Sequence, residues 1–412
     1  MRNNFFRLYN MAYSRSRLTF TRSFYMLLTI GLSITFYTSA AKQKPGIPYK
    51  RCPVNTINYE QGLMSNSIKS IITDRQGFTW ISASTGLQRY NGYSLQAITP
   101  MANGDTIKID YPVYFAEGKK GTILIGCKMG ILEYDAAGNF FKKIVSLAGN
   151  ASSNDALMPI EETDEGIWCF SENNDIIIYN RNGKLLRRFT LTETANVTNL
   201  IRTEGYDITR KLVAFNSTFI FIRISPNKIL QINTQTHQLR NLEYPGSPII
   251  GLECNNDKIF IATFDGLSSA NSSDGKILKK FLYKQITDDL INRSSLELSG
   301  DGKLLLVSVE KRLFEFDTSC TLKKEIISLN RAPLMKTGYI QLVYEDRLKR
   351  IWLLTDQDIR RIQNAETPFA DFIYADQGEN FIRCIYYDKE KNWVLAGSFS
   401  GAIQLFDSSG NT

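Results

Sequence analysis

The sequence predicts an all-β protein built from repeated four-stranded sheets, and three observations carry that prediction. Apolar residues alternate with period two, as at Ile123, Ile125 and Cys127, and no long window has the 3.6-residue period of a helix. A unit made of an apolar strand, a tight turn and a second strand with a large apolar side chain recurs in eight copies. The copies average 45 residues apart across 315 residues, about the length of one four-stranded blade. A lone sheet of this kind leaves both faces in water, whereas a ring of stacked copies buries every one, so the expected architecture is a β-propeller.

The first copy, "GFTWISASTGLQRYN" at 77–91, aligns without a gap on "GTILIGCKMGILEYD" at 121–135. Leu124 stands where Trp80 stands, and Gly86 and Gly130, then Tyr90 and Tyr134, coincide. The third copy, "GIWCFSENNDIIIYN", puts Trp168 at this anchor position. The fourth runs through "KLVAF", "FIFIRI" and "KILQIN", which places Ile222 there. Phe260, Leu305, Trp352 and Leu395 follow in copies five to eight, with Trp393 two residues before the last anchor. Full burial of each anchor against the next blade contributes on the order of 1.5 to 3 kcal/mol.

Fourth strands follow in "NFFKKIVSL", "KLLRRFTL", "KILKKFLY" and "TLKKEIISL", each with a basic pair such as Lys279 and Lys280. Long cationic side chains on an outermost strand block edge-to-edge pairing between molecules, and edge protection is the expected role. A lone strand at 55–61 precedes the first copy. If it completes the eighth copy the ring has eight blades. The competing count is seven, closed on the copy anchored at Trp352, with the eighth copy starting a second propeller.

Composition agrees with a packed fold: of 412 residues 43% are hydrophobic and 22% charged. The formal charge of +8 belongs to the N-terminus, because residues 1–51 hold nine Lys or Arg and no Asp or Glu. The remainder carries −1, so no nucleic-acid partner is expected. Arg2, Arg7, Arg15, Arg17 and Arg22, the apolar run at 24–37 and the small residues of "TSAAKQK" form a secretory signal pattern. The expected organisation is a signal peptide, or an uncleaved anchor, at 1–41, a linker at 42–54 and the propeller at 55–412. The six cysteines are at least 42 residues apart and have no metal-ligand or CxxC spacing. Several fall on apolar strands, where buried free thiols are expected, with disulfides the alternative in an exported chain.

The segment "EQGLMSNSIKSIITDRQGFTWISASTGLQRYNGY" resembles the two-component regulator propeller repeat, with its Asp-x-x-Gly turn, its Trp-Ile strand and its Gly-Leu-x-Arg-Tyr close. "RCIYYDKEKNWVLAGSFSGAIQLFD" is similar to it more loosely. The resemblance implies the periplasmic sensor region of Bacteroidetes-type hybrid histidine kinases, many of which detect oligosaccharides. Family sensors carry about fourteen copies and then a β-sandwich, a membrane helix and a kinase, so the resemblance implies a truncated sensor or a free-standing exported propeller. The single histidine, His237 in "NTQTHQLRN", lacks the surround of a phosphoacceptor.

One histidine leaves little room for Ser-His-Asp catalysis or a zinc site, and no cofactor or metal is expected. The second-turn tips and the turns before the first strands instead offer a binding face. Candidate ligand residues are Asn173, Asn174, Asp265, Asp356 and Asp358, with Asn66, Asn380 and Arg383 from the preceding turns. Each of the Asn and Asp residues also has a local reason to occupy a tight turn. Phe264 and Phe399 have none, and each offers an apolar face for a sugar ring. The expected function is non-catalytic sensing of an oligosaccharide or other small extracellular ligand. The expected partners are further sensor or kinase modules or a second copy. The alternatives are a protein-binding scaffold and a polysaccharide-acting enzyme, which predicts two carboxylates converging in the channel.

Overall fold

The computed structural model describes residues 47–102, 105–107, 113–128, 130–135, 140–146, 157–171, 175–190, 212–328, 334–335, 338–363, 382–398 and 403–406. The leader, Asn173, Asn174, Asn380 and Phe399 lie outside them. The described residues form an all-β propeller of seven blades. In blade 1 the strands Ile68–Thr73, Thr79–Ala83, Gly86–Tyr90 and Leu95–Ala97 pair in chain order. Blades 2 to 6 repeat this order, and the first strands of neighbouring blades adjoin around the centre.

Blade 7 is assembled from both ends of the propeller sequence. Ile340–Glu345, Arg350–Thr355 and Ile359–Gln363 supply three strands. The fourth is Val54–Ile57, antiparallel to the third with Ile57 opposite Ile359. The ring therefore closes on the copy anchored at Trp352, which decides for seven blades over eight. With seven blades every interface already has its apolar filling, so no gap remains for another. The eighth copy is a separate three-stranded sheet of Ile382–Asp388, Trp393–Ser398 and Ile403–Phe406. Its Ile385, Tyr386, Trp393 and Ile403 are exposed.

The stretch expected as a linker contributes a further strand. Tyr49–Cys52 runs parallel to Leu322–Ser328 on the outer edge of blade 6. Pro53 then carries the chain across to blade 7, so the nine residues Tyr49–Ile57 clasp two adjacent blades.

The anchors do what their spacing predicts. Trp80, Trp168 and Trp352 are each 0% exposed. Trp80 meets Tyr134 of blade 2 at 4.5 Å between ring centres, and Trp352 meets Tyr90 of blade 1 edge-on at 6.0 Å. In blades 4 and 6 the anchor is displaced by one residue from its expected place. Phe221 and Leu306 face the following blade, whereas Ile222 and Leu305 face the preceding one. Their cross-strand partners, Gln231 and Glu315, match Arg89 opposite Trp80. The runs "FIFIRI" and "LLLVSV" are apolar on both faces, so alternation alone does not fix which residue points which way.

Side chains of one blade also bond first-strand backbone of the next. Phe115 N–H donates to Ser70 Oγ at 3.2 Å, and Val343 N–H to Ser295 Oγ at 3.3 Å. Thr73 N–H donates to Tyr344 Oη at 3.0 Å, which ties the last blade to the first. On the outer strands the basic pairs reach carboxylates of their own blade, as in Lys280–Asp265 at 3.0 Å and Lys323–Asp317 at 2.9 Å. No disulfide joins any of the six cysteines, and five are buried. Burial pushes the Cys320 thiol up to about 11 and raises Cys169 and Cys254 too, which keeps them as inert apolar groups.

Candidate functional site

A cavity of about 690 Å³ occupies the centre of the ring, lined by the first strands of all seven blades. The strand pairings sort its lining into levels. The residue opposite each anchor is Ile72, Ala116, Glu161, Ala214, Glu253, Glu297 or Tyr344, in blade order. The next level, toward the turns between first and second strands, holds Thr73, Glu117, Glu162, Phe215, Cys254, Leu298 and Glu345. All fourteen line the cavity. The cavity therefore opens toward the turns between first and second strands, the opposite end of the strands from the second-turn tips.

Six of those positions are glutamates, and Asp346 adds a seventh carboxyl against the cations Arg75, Lys119 and Arg347. Much of the cation charge is committed. Arg347 is paired with Glu117, and Lys119 reaches outward to the fully exposed Asp164. Arg181 holds Glu162 through two nitrogens at 2.6 and 2.7 Å and Glu133 at 2.8 Å. Arg350 holds Asp346 at 2.6 Å, and Glu345 accepts from Gly300 N–H at 2.8 Å and from Lys349 at 3.3 Å.

Glu161 sits differently. Burial, and then the neighbouring charges of Glu117 and Glu162, push its carboxyl up to about 7. Ala116 and Ala214, at the same level on the blades either side, present only methyl groups. Phe215 is 40% exposed beside them, and Tyr344 lines the wall near the last interface. The arrangement brings carboxyl groups and two aromatic side chains around an open-mouthed volume in the range of ~300–1,000 Å³ usual for small-molecule sites. Among the described residues no group of three or more His, Cys, Asp or Glu is close enough to hold a metal ion.

The residues expected from the turn tips are dispersed. Phe264, on blade 5, is 36% exposed beside Asp265. Asp265 accepts from Thr263 Oγ1 at 2.6 Å and pairs with Lys280, contacts that hold its carboxyl below the usual range although burial opposes them. Asp358 is buried and bonded to Thr355 at 2.9 Å and to Arg360 at 3.0 Å. Asp356 accepts from Tyr339 N–H at 3.4 Å. Asn66 is half-buried on blade 1, and its Oδ1 is buried without a hydrogen bond. Arg383 lies on the separate sheet. His237 packs on Trp168 and Phe189, and its Nε2 lies 2.9 Å from Glu165 Oε2.

The channel glutamates escaped the sequence reading because 161, 253 and 297 are far apart and only the ring register brings them to one level. Their signal was a charged residue inside an otherwise apolar first strand, seven residues before the anchors Trp168 and Phe260 and nine before Leu306.

No family model and no curated protein matches the chain. Solved structures do. The chain is similar to the extracellular domain of a protein designated a hybrid two component system, BT3049 from B. thetaiotaomicron. That likeness has 15% identity and a TM-score of 0.58, and covers 87% of this chain and 48% of that one. It is similar also to the extracellular domain of BT4673 from B. thetaiotaomicron, designated a one component system, at 17% identity and a TM-score of 0.53, over 86% and 48%. A streptogramin B lyase matches at 11% identity and a TM-score of 0.54, over 75% of this chain and 97% of its own. The chain thus spans about half the length of the two sensor domains it matches. At these identities the likeness is one of fold, a propeller of four-stranded blades.

Proposed function

We propose that this chain is the ligand-recognising propeller of an exported two-component sensor and that it binds an oligosaccharide without chemically altering it. The observation that carries the reading is a double one. The repeat motif in the first copy resembles that of periplasmic sensors, and the fold matches extracellular sensor domains over 87% of the chain. The central cavity supplies the ligand site: carboxylates accept hydrogen bonds from sugar hydroxyls, and Phe215 and Tyr344 offer ring faces for the apolar side of a pyranose. Ligand binding to the folded state raises the unfolding temperature by mass action, so a glycan panel read by thermal shift tests the proposal. At least one oligosaccharide raises the melting temperature, and no shift with any of them overturns the reading.

A second reading rests on Glu161. A carboxyl pushed up to about 7 by burial and by its neighbours Glu117 and Glu162 resembles the general acid of a glycoside-cleaving site. New reducing ends released from a polysaccharide by the wild type and not by Glu161→Gln would favour that enzyme over the sensor.

A further inference from the structure

We infer that the central cavity takes an uncharged, hydroxyl-rich ligand and discriminates against cationic and anionic ones alike. The inference rests on the oligosaccharide reading above and narrows it to neutral sugars. Its basis is that the charges of the wall are already matched inside the protein. Glu162, Glu345 and Asp346 have side chains 4%, 5% and 0% exposed, and a cation from outside the lining holds each: Arg181, Lys349 and Arg350. Glu117 is paired with Arg347, and Lys119 with Asp164. Glu253 and Glu297 are engaged with neighbouring groups as well. Arg75 lies exposed at the rim, across Gly121 of blade 2. An ammonium or a carboxylate entering the cavity gives up its hydration and must break an existing pair to find a counter-charge, so either form of charge opposes binding.

What the wall leaves for a ligand is neutral. The blades either side of Glu161 present Ala116 and Ala214 at its level, so no longer side chain from them screens its carboxyl. Burial, then Glu117 and Glu162, favour the protonated form of that carboxyl. A protonated carboxyl donates through its O–H and accepts through its C=O, and a sugar hydroxyl, itself donor and acceptor, matches both. Phe215 adds an exposed ring, and Tyr344 a ring held in place where its Oη accepts from Thr73 N–H at 3.0 Å. These rings suit the apolar side of an unmodified pyranose.

The test titrates the full chain by calorimetry at pH 6 with tetramers of glucose, galactose and mannose, each beside its C6-carboxylate and C6-amino counterparts. The expected result is binding of at least one neutral tetramer, at least tenfold weaker binding of both charged counterparts, and a neutral affinity that holds within about twofold from low to high salt. Glu161→Gln, whose amide keeps a donor and an acceptor, stays within about threefold of wild type, and Glu161→Ala binds about tenfold more weakly. A charged counterpart that binds as tightly as its neutral parent, or a Gln variant as weak as the Ala variant, overturns the inference and leaves the oligosaccharide reading standing. If no tetramer binds, the oligosaccharide reading fails, and benzyl alcohol, benzylamine and benzoate decide the rest by ligand-observed NMR. Contact by benzyl alcohol alone, lost in Phe215→Ala, keeps a cavity for uncharged ligands; contact by either charged probe, or by none of the three, removes it.

Discussion

The indole Nε1 of Trp80 donates to Oδ2 of Asp74 over 2.9 Å, and both side chains are out of water. The other oxygen of Asp74 accepts from Gln76 N–H and Phe78 N–H, both at 3.0 Å, closing the turn that Gly77 completes at φ +88°. Blade 7 repeats the device: Asp346 accepts from Trp352 Nε1 at 2.8 Å and from Leu348 and Arg350 backbone N–H. In blade 3 a hydroxyl replaces the carboxylate, and Trp168 Nε1 donates to Thr163 Oγ1 at 3.0 Å. The first residue of this turn, Asp74, Thr163 or Asp346, is thus also the polar partner that lets a tryptophan be buried at the anchor.

Replacing Asp74 by Ala leaves the Trp80 indole N–H buried without an acceptor and opens the turn. Loss of a charged partner from a buried donor predicts a cost of about 2–3 kcal/mol, seen as a lower urea midpoint with an unchanged slope. Asp74→Thr recovers part of the loss, because Thr163 shows that a hydroxyl reaches the indole. Equal midpoints for Asp74→Ala and wild type would remove the coupling between turn and anchor.

Glu161 predicts a pH dependence of stability. Its folded carboxyl titrates at about 7 against an ordinary 4.5, with burial the leading cause and Glu117 and Glu162 next. The folded state then holds the proton more tightly than the unfolded one, so stability falls as pH rises through the window from 4.5 to 7. The shift corresponds to a loss on the order of 1–3 kcal/mol at pH 8, of which Glu161→Gln is relieved. Thermal melts at pH 4 and pH 8 check this: the variant gains over wild type at pH 8 and matches it at pH 4. A gain of the same size at both values would assign the effect to packing rather than charge.

How much of this was legible in the sequence depended on whether a signal was local. The three tryptophans, the period and the strand order are carried by short segments, and each stands where the alignment puts it. Parity failed at Ile222 and Leu305, where both faces of the strand are buried and alternation has no polar half to read. The blade count stayed open between eight and seven because ring closure pairs Val54–Ile57 with a strand some 300 residues later, and no periodicity records which copy an N-terminal strand will join. The turn tips were legible as turns and little else: Asp265 and Asp358 are engaged within their own blades. The channel glutamates belong to the tertiary level entirely, since their meeting is a property of the closed ring.

The closure strand gives the last prediction. Ile57 is 3% exposed and packs with Trp352, Leu354 and Ile359 of blade 7 and with Ile71 and Ile81 of blade 1. It is the one apolar side chain of the clasp that belongs to the final interface, so Ile57→Ala both empties core volume and loosens ring closure. Truncating a buried isoleucine predicts a loss of about 2–5 kcal/mol. Lys50, on the strand that edges blade 6, is half-exposed, and Lys50→Ala stays within about 0.5 kcal/mol of wild type. Deleting residues 47–57 removes both strands and bares the third strand of blade 7 as an unpaired edge, so the truncated chain self-associates through it. Chemical denaturation separates the two point variants, and light scattering follows the deletion. A monomeric truncated chain with the wild-type midpoint would show that the ring does not depend on its N-terminal strands.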